Sequence, residues 1–309
     1  MISVIIPSYN SEATIIACLQ SIFNQDVDEP FEVIVVDSSY DQTPQLIRNS
    51  FPRVKLTHID HRVDSGTARD IGIGNAQGKL IAFIDSDCTV RPDYLRRVLK
   101  NHSLNKYAAV GGPVINGNPQ SLIGWASYMI EFSEFLPKGK EKIAVSHLPT
   151  CNLCYKREIF DVYGGFPGNV VLMQCDLLFN WRICKNEKKI LFDPTIPVAH
   201  HHRTTLISYL RHQYAIGIGT VQVLRRTRLQ GSTLVKHPML VTFLLPILPL
   251  IKFTRTTARC LRWDYSSLLK RPLVVPLLFL GLLWWLAGFA KEVYNKQAVT
   301  DVNAEIPLT

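Results

Sequence analysis

Cysteine is too scarce and too unevenly placed in this chain for a disulfide scaffold. The seven residues, Cys18, Cys88, Cys151, Cys154, Cys175, Cys184 and Cys260, are odd in number and scattered through apolar runs, so buried, reduced thiols in a reducing compartment are expected. Cys151-Asn-Leu-Cys154 is the single C-x-x-C, and no second pair exists to complete a tetrahedral zinc site. No secretory leader is expected either. Met1-Ile-Ser-Val-Ile-Ile-Pro7 has no basic start and too short an apolar run, so the N-terminus is expected to stay where it is made. Acidic residues are almost absent from one stretch: residues 203 to 271 hold twelve Lys and Arg against Asp264 alone, a local balance of +11 in a chain of total charge +9, leaving the rest near −2. That confinement argues against a basic coat for nucleic acid and points to anionic membrane lipid as a partner. Extended disorder is excluded, because 309 residues with 47% hydrophobic content can bury a large core.

What is present reads as a layered α/β chain. Residues 2 to 6, 31 to 37 and 79 to 85 are short apolar runs rich in β-branched residues, which predicts buried parallel strands. Asn10-Ser-Glu-Ala-Thr14 supplies capping side chains ahead of Ile15, Leu19, Ile22 and Phe23 at helical spacing. Residues 41 to 50 predict another short helix with Leu46 and Ile47 inward. Strand, helix, strand, helix, strand makes a mostly parallel sheet with crossover helices. Ligands of such sheets bind beyond the carboxyl ends of the strands, and two of these runs end in aspartate, at Val36-Asp37 and Ile84-Asp85. After about residue 110 the pattern loosens into Gly/Pro-rich segments and an aromatic stretch, Trp125 to Phe135, expected to be a partly buried helix in the second half of the same domain.

Beyond residue 237 charge disappears twice. Residues 238 to 251 are fourteen without a charge and residues 272 to 290 are nineteen; as helices they would reach about 21 Å and about 28 Å. The second is long enough to span a bilayer, whereas the first is short and interrupted by Pro246 and Pro249. The basic loop expected between them, residues 252 to 271, carries Lys252, Arg255, Arg259, Arg262, Lys270 and Arg271 against Asp264, a balance that favours the cytoplasm. The expectation is one span at 272 to 290, with 238 to 251 along the inner leaflet and the catalytic domain on the cytoplasmic side. A buried hairpin of a soluble protein is the alternative.

The sharpest local signal is Phe83-Ile-Asp-Ser-Asp-Cys-Thr89, two carboxylates one residue apart after an apolar strand. Period-2 geometry puts both on one face, where hard oxygen donors suit Mg²⁺ or Mn²⁺ carrying a diphosphate. A turn or helix N-cap before residues 92 to 100 is the blander reading. The same residues fit the D-x-D-x-T nucleophile of a haloacid-dehalogenase-like phosphotransferase, although two strand units precede them and no later Gly-Asp-x-x-x-Asp follows. A dinucleotide site is excluded, since Gly72-Ile-Gly-Asn-Ala-Gln-Gly78 precedes a strand and has the wrong final spacing.

Pro7-Ser-Tyr-Asn10, Val35-Val-Asp-Ser-Ser-Tyr-Asp-Gln-Thr43, Gly66 to Gly78 and Phe83-Ile-Asp-Ser-Asp87 resemble, in order and spacing, the N-terminal half of family 2 glycosyltransferases. Gly164-Gly-Phe166, Cys175-Asp-Leu-Leu-Phe-Asn-Trp-Arg182 and Val198-Ala-His200 resemble the second half. The resemblance covers roughly residues 1 to 220. It implies a GT-A-type, Rossmann-like sheet at 1 to 220, with a nucleotide-binding half at 1 to 110 and an acceptor half at 111 to 220. A basic interfacial segment at 221 to 271, a transmembrane helix at 272 to 290 and a polar tail at 291 to 309 would follow. Its implied activity is inverting transfer from a nucleotide-diphosphate-sugar, a UDP-sugar favoured, to a lipid or saccharide acceptor, with a divalent metal, Mn²⁺ or Mg²⁺. By the same resemblance Pro7, Ser8 and Tyr9 wrap base and ribose, Asp37 reads the base, and Arg69 lies by the nucleotide. Asp85 holds the ribose end of the pair, Asp87 and His200 hold the metal, and Asp176 is the catalytic base.

Two positions depart from the family pattern. Cys175 stands where an acid usually precedes the aspartate, which leaves a non-catalytic sugar-nucleotide-binding subunit as an alternative, and Asp70 stands where Asn is usual. Residues 206 to 217 lack the Gln-x-x-Arg-Trp signature of processive synthases, so transfer of a single sugar is expected.

Overall fold

The computed structural model describes residues 1 to 295. In chain order the elements are β1 (Ile2–Ser8), α1 (Ile15–Phe23), β2 (Phe31–Asp37), α2 (Thr43–Ser50), β3 (Lys55–His58), α3 (Ser65–Asn75), β4 (Leu80–Phe83), β5 (Cys88–Val90), α4 (Tyr94–His102), β6 (Ala109–Gly111), β7 (Val114–Asn116) and α5 (Leu122–Phe132). They continue with β8 (Ile143–Val145), β9 (Leu153–Lys156), α6 (Glu158–Tyr163), α7 (Cys175–Lys185), β10 (Ile190–Phe192), β11 (Val198–His200), α8 (Leu206–Arg226), α9 (Ser232–Val235), α10 (Pro238–Leu244), α11 (Leu248–Leu269) and α12 (Val274–Val293). They form two compact units. The first comprises residues 1–119, 135–169 and 179–202, and the second residues 120–134, 170–178 and 203 onward.

The first unit is built on an eight-stranded sheet of order β3-β2-β1-β4-β9-β6-β10-β8. The three runs read as strands are β1, β2 and β4, parallel and adjacent, with β3 added at the edge. Both faces are covered by helices, which is why these strands are continuous apolar runs: Val4, Ile5, Ile6, Val33 to Val36 and Ile81 to Phe83 are all buried. β9 runs antiparallel between β4 and β6. It carries Tyr155 into an aromatic cluster with Phe83, Phe160, Phe166 and Phe179, whose Phe166–Phe179 and Phe160–Phe179 centroids lie 4.8 and 5.3 Å apart. A second, three-stranded sheet, β5-β11-β7, hangs at the carboxyl end of β4. All seven cysteines are free thiols.

The second unit is helical. Val221, Val235, Val241, Trp285, Phe289 and Val293 form its core. The apolar segment expected at 238 to 251 is broken into α10 and α11, which meet at 63° where Pro246 and Pro249 remove backbone donors. The basic stretch 252 to 271, expected as a loop, is instead mostly the continuation of α11 to Leu269. Helix α8 runs unbroken through residue 220, where a domain boundary was expected. Among the described residues α12 is the one unbroken helix long and apolar enough to cross a membrane, with a mean hydropathy of 1.8 over its most apolar window. The polar tail expected at 291 to 309 falls mostly outside the described residues.

Candidate functional site

Within the first unit the polar residues gather at the carboxyl ends of the parallel strands. Chain direction leaves β4 at Phe83, and residues 84 to 87 turn before β5 begins at Cys88. β5 then pairs antiparallel with β11, so that Cys88 faces His200 in register. A strand pair more than a hundred residues apart in sequence thus brings His200 Nε2 to 3.4 Å from the Asp87 carboxylate. Cys88 Sγ lies 3.8 Å from the same carboxylate oxygen. Asp87, Cys88 and His200 offer a carboxylate, a thiol and an imidazole whose ligand atoms lie within 4.8 Å of one another. That donor set fits a divalent cation: a hard oxygen and a borderline nitrogen, with a soft sulfur beside them. Of the three consecutive histidines, His200 reaches Asp87, while His202 stacks on it at 4.5 Å and is tied by its backbone to Asn118.

Asp85 points elsewhere. Its carboxylate accepts from the Arg69 guanidinium at 2.8 Å, and Arg69 is itself buried, its side chain 5.8 Å from the Phe166 ring. Burial pushes the Asp85 carboxyl above its ordinary value, and the nearby Asp87 adds to that, against the opposing charge of Arg69. Arg69 is positioned by α3, whose N-cap Asp64 accepts from Gly66 N at 2.9 Å and Thr67 N at 3.0 Å. Its neighbour Asp70 feels the Arg69 charge but makes its hydrogen bond elsewhere. Asp70 accepts instead from Phe166 N at 2.8 Å, and burial there raises its carboxyl to about 6. A Cβ at Gly165 would stand 2.4 Å from Asp70 Oδ1, so the Gly-Gly-Phe turn and the acid are fitted to each other.

The residues expected at the base end also lie together. Pro7 and Ser8 close β1, and Ser38 N donates to Ser8 O at 3.0 Å. Tyr9 is 39% exposed, with Arg62 4.8 Å over its ring. Asp37 ends β2 and is fully buried, accepting from Ser39 Oγ at 2.6 Å and lying 2.8 Å from His58 Nδ1. His58 escaped the sequence reading. Its signal is register alone, because β3 places it opposite Asp37. Cys88 escaped as well, being one of seven thiols with nothing local to single it out.

Asp176 belongs to the second unit and is not among the residues brought together in the first. It stands in the first turn of α7, where its Oδ1 accepts from Leu177 N at 2.8 Å. Cys175 before it is buried, so the position that departs from the family pattern is filled by a core thiol.

Comparison with known proteins places these features in a family context. A family model described as glycosyl transferase family 2 matches residues 3–164. The succinoglycan biosynthesis protein ExoO of Rhizobium meliloti is 41% identical over 100 residues, 32% of this chain and 29% of that relative, so the matched stretch spans under a third of its length. Glycosyltransferase AglE of Haloferax volcanii is 27% identical over 228 residues, 72% of this chain and 73% of its own. Among solved structures, the mannosyltransferase PcManGT from Pyrobaculum calidifontis, in complex with GDP-Man and Mn²⁺, has a TM-score of 0.63 at 19% identity, covering 96% of this chain and 87% of that one. TarS 1–349 of Staphylococcus aureus, in complex with UDP-GlcNAc, has a TM-score of 0.53 at 19% identity, covering 93% and 90%. At these identities the structural likeness shows a shared fold.

Proposed function

The chain belongs to the glycosyl transferase family 2, and from that premise we propose an inverting, metal-dependent transferase that moves one sugar from a nucleoside-diphosphate sugar. A UDP-sugar is the favoured donor, a lipid-linked or saccharide molecule the acceptor, and the cytoplasmic face of a membrane the place. Membership sets aside the phosphotransferase reading of Asp85 and Asp87. The observation that carries the proposal is the convergence of Arg69, Asp85, Asp87 and His200 at the end of β4. Relatives of the same fold are described with GDP-Man and Mn²⁺ and with UDP-GlcNAc, which supports the donor class.

Roles follow from chemistry. Pro7, Ser8 and Tyr9 line the base and ribose end, and Asp37, with Ser39 and His58 hydrogen-bonded to it, orients that end. Arg69, locked on Asp85, presents a permanent positive charge beside the diphosphate position. Asp87 and His200 would hold the divalent ion, which when bound supplies positive charge for the departing diphosphate. Asp176 takes the proton from the acceptor hydroxyl as that oxygen attacks the anomeric carbon, so one carboxylate suffices for inversion. The basic segment and the apolar α12 support a membrane location, and the excess of Lys and Arg supports its cytoplasmic side.

The test is nucleotide binding to the detergent-solubilised full chain, with and without Mn²⁺, for the wild type and Asp85→Asn/Asp87→Asn. Tight, Mn²⁺-dependent binding of one nucleoside diphosphate, lost in the double variant, is expected. Asp176→Asn should then keep that binding and lose about 10²-fold or more in turnover. Absence of binding to every nucleotide sinks the proposal, and binding without turnover by the wild type points to the non-catalytic subunit.

A further inference from the structure

Helix α12 has two faces with different fates. One is joined to α8 along nearly its whole length. Tyr209 Oη donates to Leu277 O at 3.2 Å and Trp285 Nε1 to Thr220 Oγ1 at 3.3 Å, and Arg225 donates to the carbonyls of Glu292 and Val293, 3.0 Å each. Glycines bring the two helices close. A Cβ would stand 2.1 Å from Trp285 O at Gly217, 1.9 Å from Tyr209 Oη at Gly281, and 2.0 Å from Tyr214 O at Gly288. The Arg225–Glu292 pair, 3.7 Å apart and buried, closes the far end. The other face is apolar and open, with Leu273, Phe279, Leu283 and Trp284 all exposed among the described residues.

A helix held this way cannot cross a bilayer alone. Carrying α12 through would draw in α8, with Arg211, His212, Gln213, Gln222, Arg225 and Arg226, a set that is costly in hydrocarbon. The neighbouring helices complete a different picture. Met239 and Phe243 on α10 are 81% and 77% exposed. On α11, which is kinked at Asp264, Leu250 and Leu261 before the kink and Tyr265 and Leu269 beyond it are exposed, with exposed Arg255 and Arg262 interleaved and Lys270 just beyond the helix. Phe253 of α11 packs on Phe279 of α12 at 5.9 Å. Large apolar side chains with Lys and Arg among them are the signature of a helix lying in the plane of an anionic lipid interface.

We infer that α10, α11 and the open face of α12 form a monotopic docking surface for one leaflet of an anionic bilayer, with no helix of the second unit crossing it. This rests on the membrane location proposed above and not on the transfer chemistry. It replaces the single span expected from hydropathy, because that expectation took α12 as an isolated apolar segment and the structure ties it to a polar partner.

The experiment uses the full chain with phosphatidylcholine vesicles, with and without phosphatidylglycerol. Partition is expected to be at least about tenfold stronger with the anionic lipid, and that advantage should shrink in high salt. Met239→Glu/Phe243→Glu should weaken partition by about tenfold or more with nucleotide binding unchanged. Topology is read separately by small epitope tags at the N-terminus, after Lys270 and at the C-terminus, in sealed membrane vesicles. All three reached from one side supports monotopic docking. A C-terminal tag on the opposite side establishes a single span, and a tag after Lys270 alone on the opposite side establishes a two-span hairpin; either overturns the inference. Equal partition to both lipid compositions, or a stable dimer that no longer binds vesicles, overturns it too. Nucleotide binding measured on the same preparation keeps a failure of the transferase reading apart.

Discussion

Replacing Asp70 by Asn tests the reasoning about the α3 end of the first unit. The Asp70 carboxyl sits at about 6 instead of its ordinary 3.8, chiefly because folding buries it. A carboxyl raised in the folded state contributes stability that is fully present below about pH 3.8 and is lost as pH rises through about 6. Each tenfold change in proton affinity is worth about 1.4 kcal/mol, so the ceiling at pH 8 is about 3 kcal/mol. The side chain is half-buried, and solvent screening lowers that to about 1–2 kcal/mol. Asn keeps an oxygen to accept from Phe166 N, the 2.8 Å bond that seats the Gly-Gly-Phe turn, and carries no charge to desolvate. The variant should therefore be more stable than the wild type at pH 8 by about 1–2 kcal/mol, with the difference falling below about 1 kcal/mol at pH 5. Urea unfolding followed by hydrogen exchange of the α3 amides reads the first unit specifically. A variant less stable at pH 8, or a difference that ignores pH, would refute the desolvation argument and show that the nearby charges of Arg69 and Arg182 outweigh the burial of the carboxylate.

Two further substitutions probe the site and the helix pair. Arg69→Met leaves Asp85, whose side chain is 29% exposed, beside Asp87 without its 2.8 Å partner, so it should cost about 1–3 kcal/mol and at least tenfold in nucleotide affinity. Adding Asp85→Asn should restore part of the stability and none of the binding, read by paired thermal melts and titrations; recovery of neither would mean that the two side chains are not coupled. Gly288→Ala inserts a methyl where Tyr214 O lies 2.0 Å away, and should destabilise the second unit by about 1–3 kcal/mol. An unchanged melt would show that α8 and α12 do not pack as described.

Much of the architecture is legible in order and spacing. The runs at β1, β2 and β4 are apolar because both sheet faces are covered, and that same burial forces their polar ends to one edge, where Asp37 and Asp85 stand. Asp85 and Asp87 stand out by their place just after an apolar strand and by their order among the motifs that resemble the family. The hydrophobic C-terminal segments are equally plain, being set by composition alone.

What composition cannot carry is pairing between distant elements. That β9 enters the sheet antiparallel, that β11 sets the His200 imidazole against the Asp87 carboxylate, and that His58 meets Asp37 are facts of register, and register depends on side chains far apart in the chain. The same holds for Asp70, whose partner is a backbone amide 96 residues on instead of the adjacent Arg69. Helix α12 shows the limit most clearly. Hydropathy sums side chains without regard to direction, so nineteen uncharged residues, 272 to 290, read as a span. Only the tertiary structure decides that three glycine contacts and a buried Arg225–Glu292 pair hold one face against α8, leaving the other for whatever it meets.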